Sequence, residues 1–135
     1  MPDTGVISTQ ALANHGKVSR VTTNVIVNLQ FEGVHRWRAC PHEEVAFLKD
    51  FHRHIFHICC KKQVRHDDRD IEIIMLKRQI HNYLHTTYRD GNLGDMSCEM
   101  LAGELVTRFG LCYCSVLEDG ENGAEVTKEL VGMAE

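Results

Sequence analysis

The tripeptide His52-Arg53-His54 opens a run of strand-forming residues, and it limits the possible folds more than any other part of this chain. The run continues to Cys60 with isoleucine, phenylalanine and histidine, residues that suit a strand. Side chains alternate between the faces of a strand, so His52 and His54 point to one face and Arg53 to the other. The preceding segment from Phe31 to His35 offers a third histidine from a neighbouring strand, which would complete a catalytic type of zinc site. Strand histidines are also commonly exposed or hydrogen-bonded without a metal, so the spacing alone leaves both interpretations open.

The composition indicates one ordinary globular domain. The chain has 135 residues, of which 43% are hydrophobic and 25% charged, and a net charge of −4. Lysine and arginine are scattered rather than clustered, which argues against a nucleic-acid partner. No apolar run approaches the roughly 20 residues that span a bilayer, and residues 1–19 lack the pattern of a secretory signal. We therefore expect a cytoplasmic protein with no membrane partner and with reduced cysteines.

The hydrophobic pattern predicts strands and helices in the order ββααββ. Residues 1–19 are small and polar and are expected to form a flexible arm, followed by a single domain over residues 20–135. Period-2 patterns and turn signals predict four strands: Val21 to about His35, His52 to about Val64, Leu111 to Glu118, and Ala124 to about Lys128.

Two helices are predicted between the strand pairs. The first carries an apolar stripe of 3.6-residue period from Ile73 to Thr87. The second begins after Ser97, a good N-cap residue, and ends at Gly110. A short helix is also predicted over residues 43–49. This order predicts an α+β domain, in which a four-stranded antiparallel sheet has two helices on one face.

Four short segments, taken in this order and spacing, resemble the 6-pyruvoyltetrahydropterin synthase and 6-carboxytetrahydropterin synthase family. The segments are residues 31–37, 52–54, 97–102 and 116–118, and the likeness covers about residues 24–127. The resemblance implies a tunnelling fold, in which subunits associate edge to edge into a trimeric barrel and two trimers stack into a homohexamer. Active sites then lie between subunits. Edge-to-edge association is physically sensible because open sheet edges expose unpaired backbone groups.

The resemblance also implies roles for individual residues. His35, His52 and His54 match the family's zinc ligands, and Glu118 matches the glutamate that anchors the pterin ring. A carboxylate suits that role because it can accept two hydrogen bonds from adjacent N–H groups. The alternative for Glu118 is a solvated residue at a strand end. Glu99 matches a further family position, where a substrate-binding role and a structural role both stay open.

The groups expected to transfer protons depart from the family pattern. Family enzymes use a cysteine four residues before the His-x-His pair as general base, and this chain has Leu48 there. Cys40, Glu44 and Asp50 lie in the same connecting segment, with Glu43 beside them, and nothing in the sequence selects among these candidate bases.

A second departure follows the first helix. The family carries an Asp-His pair there, whereas this chain has His85 at roughly that place. His85 is therefore a candidate acid or base, since histidine titrates near neutral pH. The alternative is a histidine that only stabilises the end of a helix through the helix dipole.

The implied function is that of a zinc-dependent lyase with an altered general base. It would cleave a carbon–oxygen bond with loss of triphosphate, or a carbon–carbon bond, in a 6-substituted dihydropterin such as dihydroneopterin triphosphate. The products would feed tetrahydrobiopterin or queuosine biosynthesis. The alternative is a catalytically inactive homologue that keeps the metal and binds a pterin or purine-like molecule. Either way the expected partners are a small molecule and further copies of the chain, as a trimer or a hexamer.

Overall fold

The computed structural model describes residues 6–8 and 19–129, with side chains described over residues 21–129. The elements in chain order are β1 (Val6–Ser8), β2 (Ser19–Val21), β3 (Thr23–His35), a 3₁₀ helix (Glu43–Lys49), β4 (His52–Val64), α1 (Ile73–Thr87), a 3₁₀ turn (Arg89–Gly91), α2 (Cys98–Phe109), β5 (Tyr113–Glu118) and β6 (Asn122–Thr127). Strands β3 to β6 form one antiparallel sheet in chain order. The predicted α+β class and the ββααββ order of the main domain are confirmed.

The predicted flexible arm, residues 1–19, lies mostly outside the described residues and stays a prediction. Its described part includes β1, which pairs antiparallel with β2 in a separate two-stranded sheet. The long first strand predicted from Val21 is divided, because β2 ends at Val21 and β3 begins at Thr23. No helix in the described part of the chain is both long enough and apolar enough to cross a membrane.

One face of the sheet packs against both helices. Residues along β3 alternate between buried and exposed, as the period of a strand requires. Each fully buried large apolar side chain contributes roughly 1.5–3 kcal/mol to folding. The core side chains are Val27, Leu29 and Phe31 of β3, Phe56 and Ile58 of β4, Val116 of β5, Leu76, Ile80 and Leu84 of α1, and Leu101 and Leu105 of α2.

Both ends of α2 follow the predicted capping pattern. The Ser97 hydroxyl accepts a hydrogen bond from the Met100 N–H (3.1 Å), which satisfies one of the free donors of the first turn. Gly110 ends the helix with φ of +64°, a conformation that glycine adopts without a Cβ clash. The Met96 carbonyl, just before this helix, accepts a hydrogen bond from His35 (2.8 Å), so α2 begins at the same end of the sheet as the histidines of β3 and β4.

The chain after α1 lies directly against the end of β3. A Cβ atom at Gly91 would lie 2.5 Å from the Glu32 carbonyl oxygen, so only glycine permits this approach. The Leu93 N–H then donates to the Val34 carbonyl (2.9 Å). The following residues run beside β3, and Met96 reaches the strand end.

Candidate metal centre

Three histidines meet at one end of the sheet, on the face that packs against the helices. The antiparallel register places His35 opposite His52 and Gly33 opposite His54. One ligand atom from each imidazole lies within 4.8 Å of the corresponding atoms of the other two. The rings of His35 and His54 each pack against Phe56 in a T-shaped arrangement. The distance between ring centroids is 5.2 Å for His35 and 5.6 Å for His54. The cluster could bind a metal ion, as the sequence predicted.

Each imidazole of this triad is held by a hydrogen bond through its Nδ1 atom. The three bonds run from His35 to the Met96 carbonyl (2.8 Å), from His52 to the Asp50 carbonyl (2.9 Å) and from His54 to Oδ2 of Asp119 (2.8 Å). Carbonyl and carboxylate oxygens only accept hydrogen bonds, so each Nδ1 must carry the hydrogen. In the neutral rings the lone pair is then on Nε2, the arrangement typical of metal-binding histidines.

His35 is the most buried member of the triad, with 7% of its surface exposed. Its Nε2 atom has no hydrogen-bond partner among the described residues, and Oε2 of Glu118 lies 3.1 Å from it. Burial lowers the pKa of His35 below the usual 6.5; the Met96 carbonyl opposes this effect, and the neighbouring His52 adds to it. A neutral imidazole with an unsatisfied lone pair fits a divalent metal ion.

A cavity of about 520 Å³ adjoins the triad. This volume is within the range that small-molecule ligands occupy in proteins. The residues that matter for its chemistry are His35 and His52 of the triad, Leu48 of the 3₁₀ helix, Cys98 and Glu99 of α2, and Glu118 of β5. Two of the three predicted metal ligands, His35 and His52, and both predicted substrate-binding glutamates therefore face one space.

The Glu118 carboxylate lies between the triad and the cavity. Its Oε2 is 3.1 Å from Nε2 of His35, and its Oε1 is 3.6 Å from Nε2 of His54. The Cys98 thiol donates a weak hydrogen bond to Oε2 (3.8 Å). Burial raises the pKa of Cys98 to about 12, and the negative charge of Glu118 adds to the effect. The thiol is therefore protonated at neutral pH.

Sequence reasoning did not select Cys98 as a functional residue. The one available signal was its position beside Glu99 in the first turn of α2. A cysteine at that position is equally typical of a buried apolar contact, so only the tertiary structure brings it to Glu118.

The four predicted acid–base candidates lie outside the lining of this cavity. Cys40 is buried, and its thiol contacts backbone oxygens of its own segment at 3.7 and 3.8 Å. Glu44 and Asp50 have exposed side chains. His85 is exposed on α1, where its Nε2 lies 3.1 Å from Nε2 of His81. Their catalytic roles stay predictions.

Leu48 lines the cavity at the position where the resemblance places a cysteine base. Its side chain cannot accept a proton, so any base must be another group. Arg36 also lines the cavity; its guanidinium lies 4.4 Å above the centre of the Phe51 ring and 3.8 Å from Asp95. This arrangement gives the cavity a positive group that suits an anionic substituent.

A second cavity, of about 570 Å³, is lined by residues of β3, β4, β5 and α1. Its lining includes His57 and Cys59 of β4 and His81 of α1. None of the predicted site residues is among its lining side chains in the described part of the chain, so it is separate from the candidate metal centre.

The sequence matches no protein-family model, and no curated protein is similar enough to count as a match. Membership of the pterin synthase family therefore stays a prediction from the four short segments.

Proposed function

We propose that this chain binds zinc through His35, His52 and His54 and acts as a lyase on a 6-substituted dihydropterin such as dihydroneopterin triphosphate. The supporting observation is the convergence of three imidazoles, with every Nδ1 bonded to an oxygen, beside a cavity that Glu118 also lines. Three histidine ligands with one open position are typical of catalytic zinc. The pterin substrate is inferred from the resemblance to the pterin synthase family.

The histidines would hold the metal in neutral form, with their outer nitrogens bonded to protein oxygens. A zinc ion bound there would supply Lewis-acid polarisation of an oxygen on the substrate side chain. Imidazole also suits copper, iron and nickel, so the metal has to be identified by measurement.

Two cavity residues of opposite charge would orient the substrate. The Glu118 carboxylate can accept two hydrogen bonds from the N–H groups on the edge of the pterin ring. Arg36, at another part of the cavity lining, would hold the negatively charged triphosphate. Glu99, in the first turn of α2, faces the same space. These groups fix which end of the substrate lies beside the triad.

Proton transfer would use groups that line the cavity. The Cys98 thiol is protonated at neutral pH, so it can donate a proton but is a poor base. Glu118 anchors the ring in this proposal, so the other carboxylates that line the cavity, those of Asp95 and Glu99, are the candidate proton acceptors. One of them would act as the base in place of the family's cysteine, whose position Leu48 occupies. Elimination of triphosphate, or cleavage of the side chain, would follow.

A second candidate function is that of an inactive homologue that binds a pterin or a purine-like molecule without turnover. Leu48 favours it, because this residue fills the position of the family's base with an apolar side chain. The metal triad would then serve ligand binding alone.

The proposed assembly is a trimer or hexamer built through the sheet edges. Strands β3 and β6 are the outer strands of the described sheet, and an edge of this kind favours pairing with another chain. Sedimentation velocity on the full chain measures the state, and a monomer at micromolar concentration would contradict this assembly.

The first experiment is elemental analysis of the purified, untagged chain, followed by a turnover assay with dihydroneopterin triphosphate. We expect about one zinc per chain and release of triphosphate with formation of a new pterin product. Zinc and pterin binding without product would support the second candidate function. No bound metal after incubation with zinc would contradict both.

The variant Leu48→Cys separates the two candidates. A thiol at this position would face the cavity where the resemblance places the base. If the native chain is an inactive binder, we expect turnover to rise by about 10²-fold or more, the usual contribution of a positioned base. If a cavity carboxylate is already the base, the rate should change little. A matched Leu48→Ser variant controls for the loss of apolar volume.

A further inference from the structure

Asp119 makes three hydrogen bonds to β4 at the point where β5 ends. Its N–H donates to the Ile55 carbonyl (2.8 Å), and its Oδ1 accepts from the Ile55 N–H (3.0 Å). Its Oδ2 accepts from Nδ1 of His54 (2.8 Å). The backbone adopts φ of +55°, a left-handed conformation that aspartate tolerates better than most residues. Both carboxylate oxygens of Asp119 are therefore held against β4 by hydrogen bonds.

The three imidazoles of the triad differ in what fixes their tautomers. His35 and His52 donate to backbone carbonyls, which no substitution removes. Among the described residues, only His54 depends on a side chain, that of Asp119. A carboxylate oxygen cannot donate, so this contact places the hydrogen on Nδ1 and leaves the lone pair on Nε2, the nitrogen 3.6 Å from Oε1 of Glu118.

We propose that Asp119 is a positioning residue that holds His54 in the tautomer and orientation required for metal binding. The proposal rests on the metal site of the proposed function. Asp119 directly follows Glu118, whose carboxylate lies 3.6 Å from Nε2 of the same histidine. Two neighbouring residues thus contact the two nitrogens of one imidazole: Asp119 accepts from Nδ1 of His54, and the proposed substrate-binding carboxylate of Glu118 lies beside Nε2. Partners of this kind typically change metal affinity by about 10- to 100-fold when they are removed.

The variant Asp119→Asn tests this role because it keeps the size of the side chain. Its amide oxygen can accept from the Ile55 N–H, but its NH₂ group then faces Nδ1 of His54 and favours hydrogen on Nε2. We expect the Kd for Zn²⁺, measured by competition with a chelating dye, to rise by about 10- to 100-fold. In ¹⁵N NMR spectra of the metal-free variant, His54 should change from the Nδ1–H to the Nε2–H tautomer.

Asp50→Asn is the matched control. Asp50 lies two residues before His52 and supports that ring only through its backbone carbonyl, so the variant removes the same charge without removing a hydrogen bond to the triad. We expect zinc affinity within about twofold of the native chain, since the exposed charge that is lost makes no hydrogen bond to the triad. An equal loss in both variants would show a general charge effect and overturn the proposal. Unchanged affinity in Asp119→Asn would also overturn it.

The tautomer measurement separates this proposal from the proposed function. If the native chain binds no zinc, the proposed function fails, yet the metal-free spectra still test whether Asp119 sets the tautomer of His54. An unchanged His54 tautomer in a folded Asp119→Asn variant overturns the positioning role, whatever metal the native chain binds.

Discussion

The described part of this molecule has two groups of histidines whose rings are adjacent within the group, and the groups differ in the hydrogen bonds that their ring nitrogens make. In the triad of β3 and β4, every Nδ1 donates to an oxygen, so the lone pair of each neutral ring is on Nε2. One ring nitrogen from each of the three histidines lies within 4.8 Å of the other two. On α1, His81 and His85 also have adjacent rings, with centroids 4.2 Å apart. There the Nε2 atoms contact each other at 3.1 Å, so each is occupied by its neighbour.

The comparison shows that the proximity of imidazoles does not by itself make a metal site. The triad is partly buried, adjoins a cavity and has outer partners that set its tautomers. The pair is exposed on a helix, and within the described residues the triad is the one group of three potential ligands. Outer hydrogen bonds, rather than ring-to-ring distance, therefore distinguish the candidate metal centre.

The largest expected effect is loss of metal from the triad. His52→Ala or His54→Ala should each remove most of the bound zinc, because two imidazoles hold zinc poorly. The control is His57→Ala on the same strand, since residue 57 faces the opposite side of the sheet. Elemental analysis measures occupancy, and full occupancy in both triad variants would refute the site.

An intermediate effect concerns stability against pH in the metal-free protein. The pKa of His35 is lowered in the folded chain from its ordinary 6.5, so just below that pH the unfolded chain binds more protons. The free energy of unfolding should therefore decrease as pH falls below about 6.5 towards the folded-state pKa. The pKa of His81 is also lowered, by burial and by His85. His81 is therefore replaced by glutamine both in the protein with His35 and in the protein without it, so that its titration does not affect the comparison.

In this background, His35→Gln should flatten the pH dependence. Urea unfolding with a chelator present, between about pH 8 and pH 5, provides the measurement. If the dependence is the same with and without His35, the inferred burial effect on this ring is wrong.

The smallest expected effect is that of the α1 pair. The double variant His81→Gln, His85→Gln should keep the native zinc content and change stability by less than about 0.5 kcal/mol, since both residues are exposed. Zinc content and urea unfolding are measured together. A loss of metal would show that the pair contributes to the site and would break the distinction between the clusters. Loss of turnover with zinc retained would instead support the predicted catalytic role of His85.

Local signals were sufficient for most element boundaries. Ser97 is a strong N-cap residue and Gly110 a strong helix-ending residue, so both ends of α2 were predicted to within one residue. The strands were less certain at their ends. The break after Val21 was missed because β2 and β3 are separated by a single residue with strong strand preference.

The site was predictable only in part. His52 and His54 share a face because of the period of a strand, and that holds for any sequence of this kind. The addition of His35 depends on how two neighbouring strands pair; the order of the strands suggested it and the resemblance supported it. Leu48, Cys98 and Asp119 reach the triad or its cavity from three separate segments, and no local pattern marks such contacts.

By itself the sequence determined the order of strands and helices, their faces, and the presence of two histidines on one side of β4, because periodicity and capping are local properties of the backbone. Only the tertiary structure decided which nitrogen of each ring carries the hydrogen and which has the lone pair. It placed the Met96 and Asp50 carbonyls and the Asp119 carboxylate behind the imidazoles. Those hydrogen bonds depend on the docking of distant segments, since a tautomer is set by whichever oxygen the fold brings to the ring.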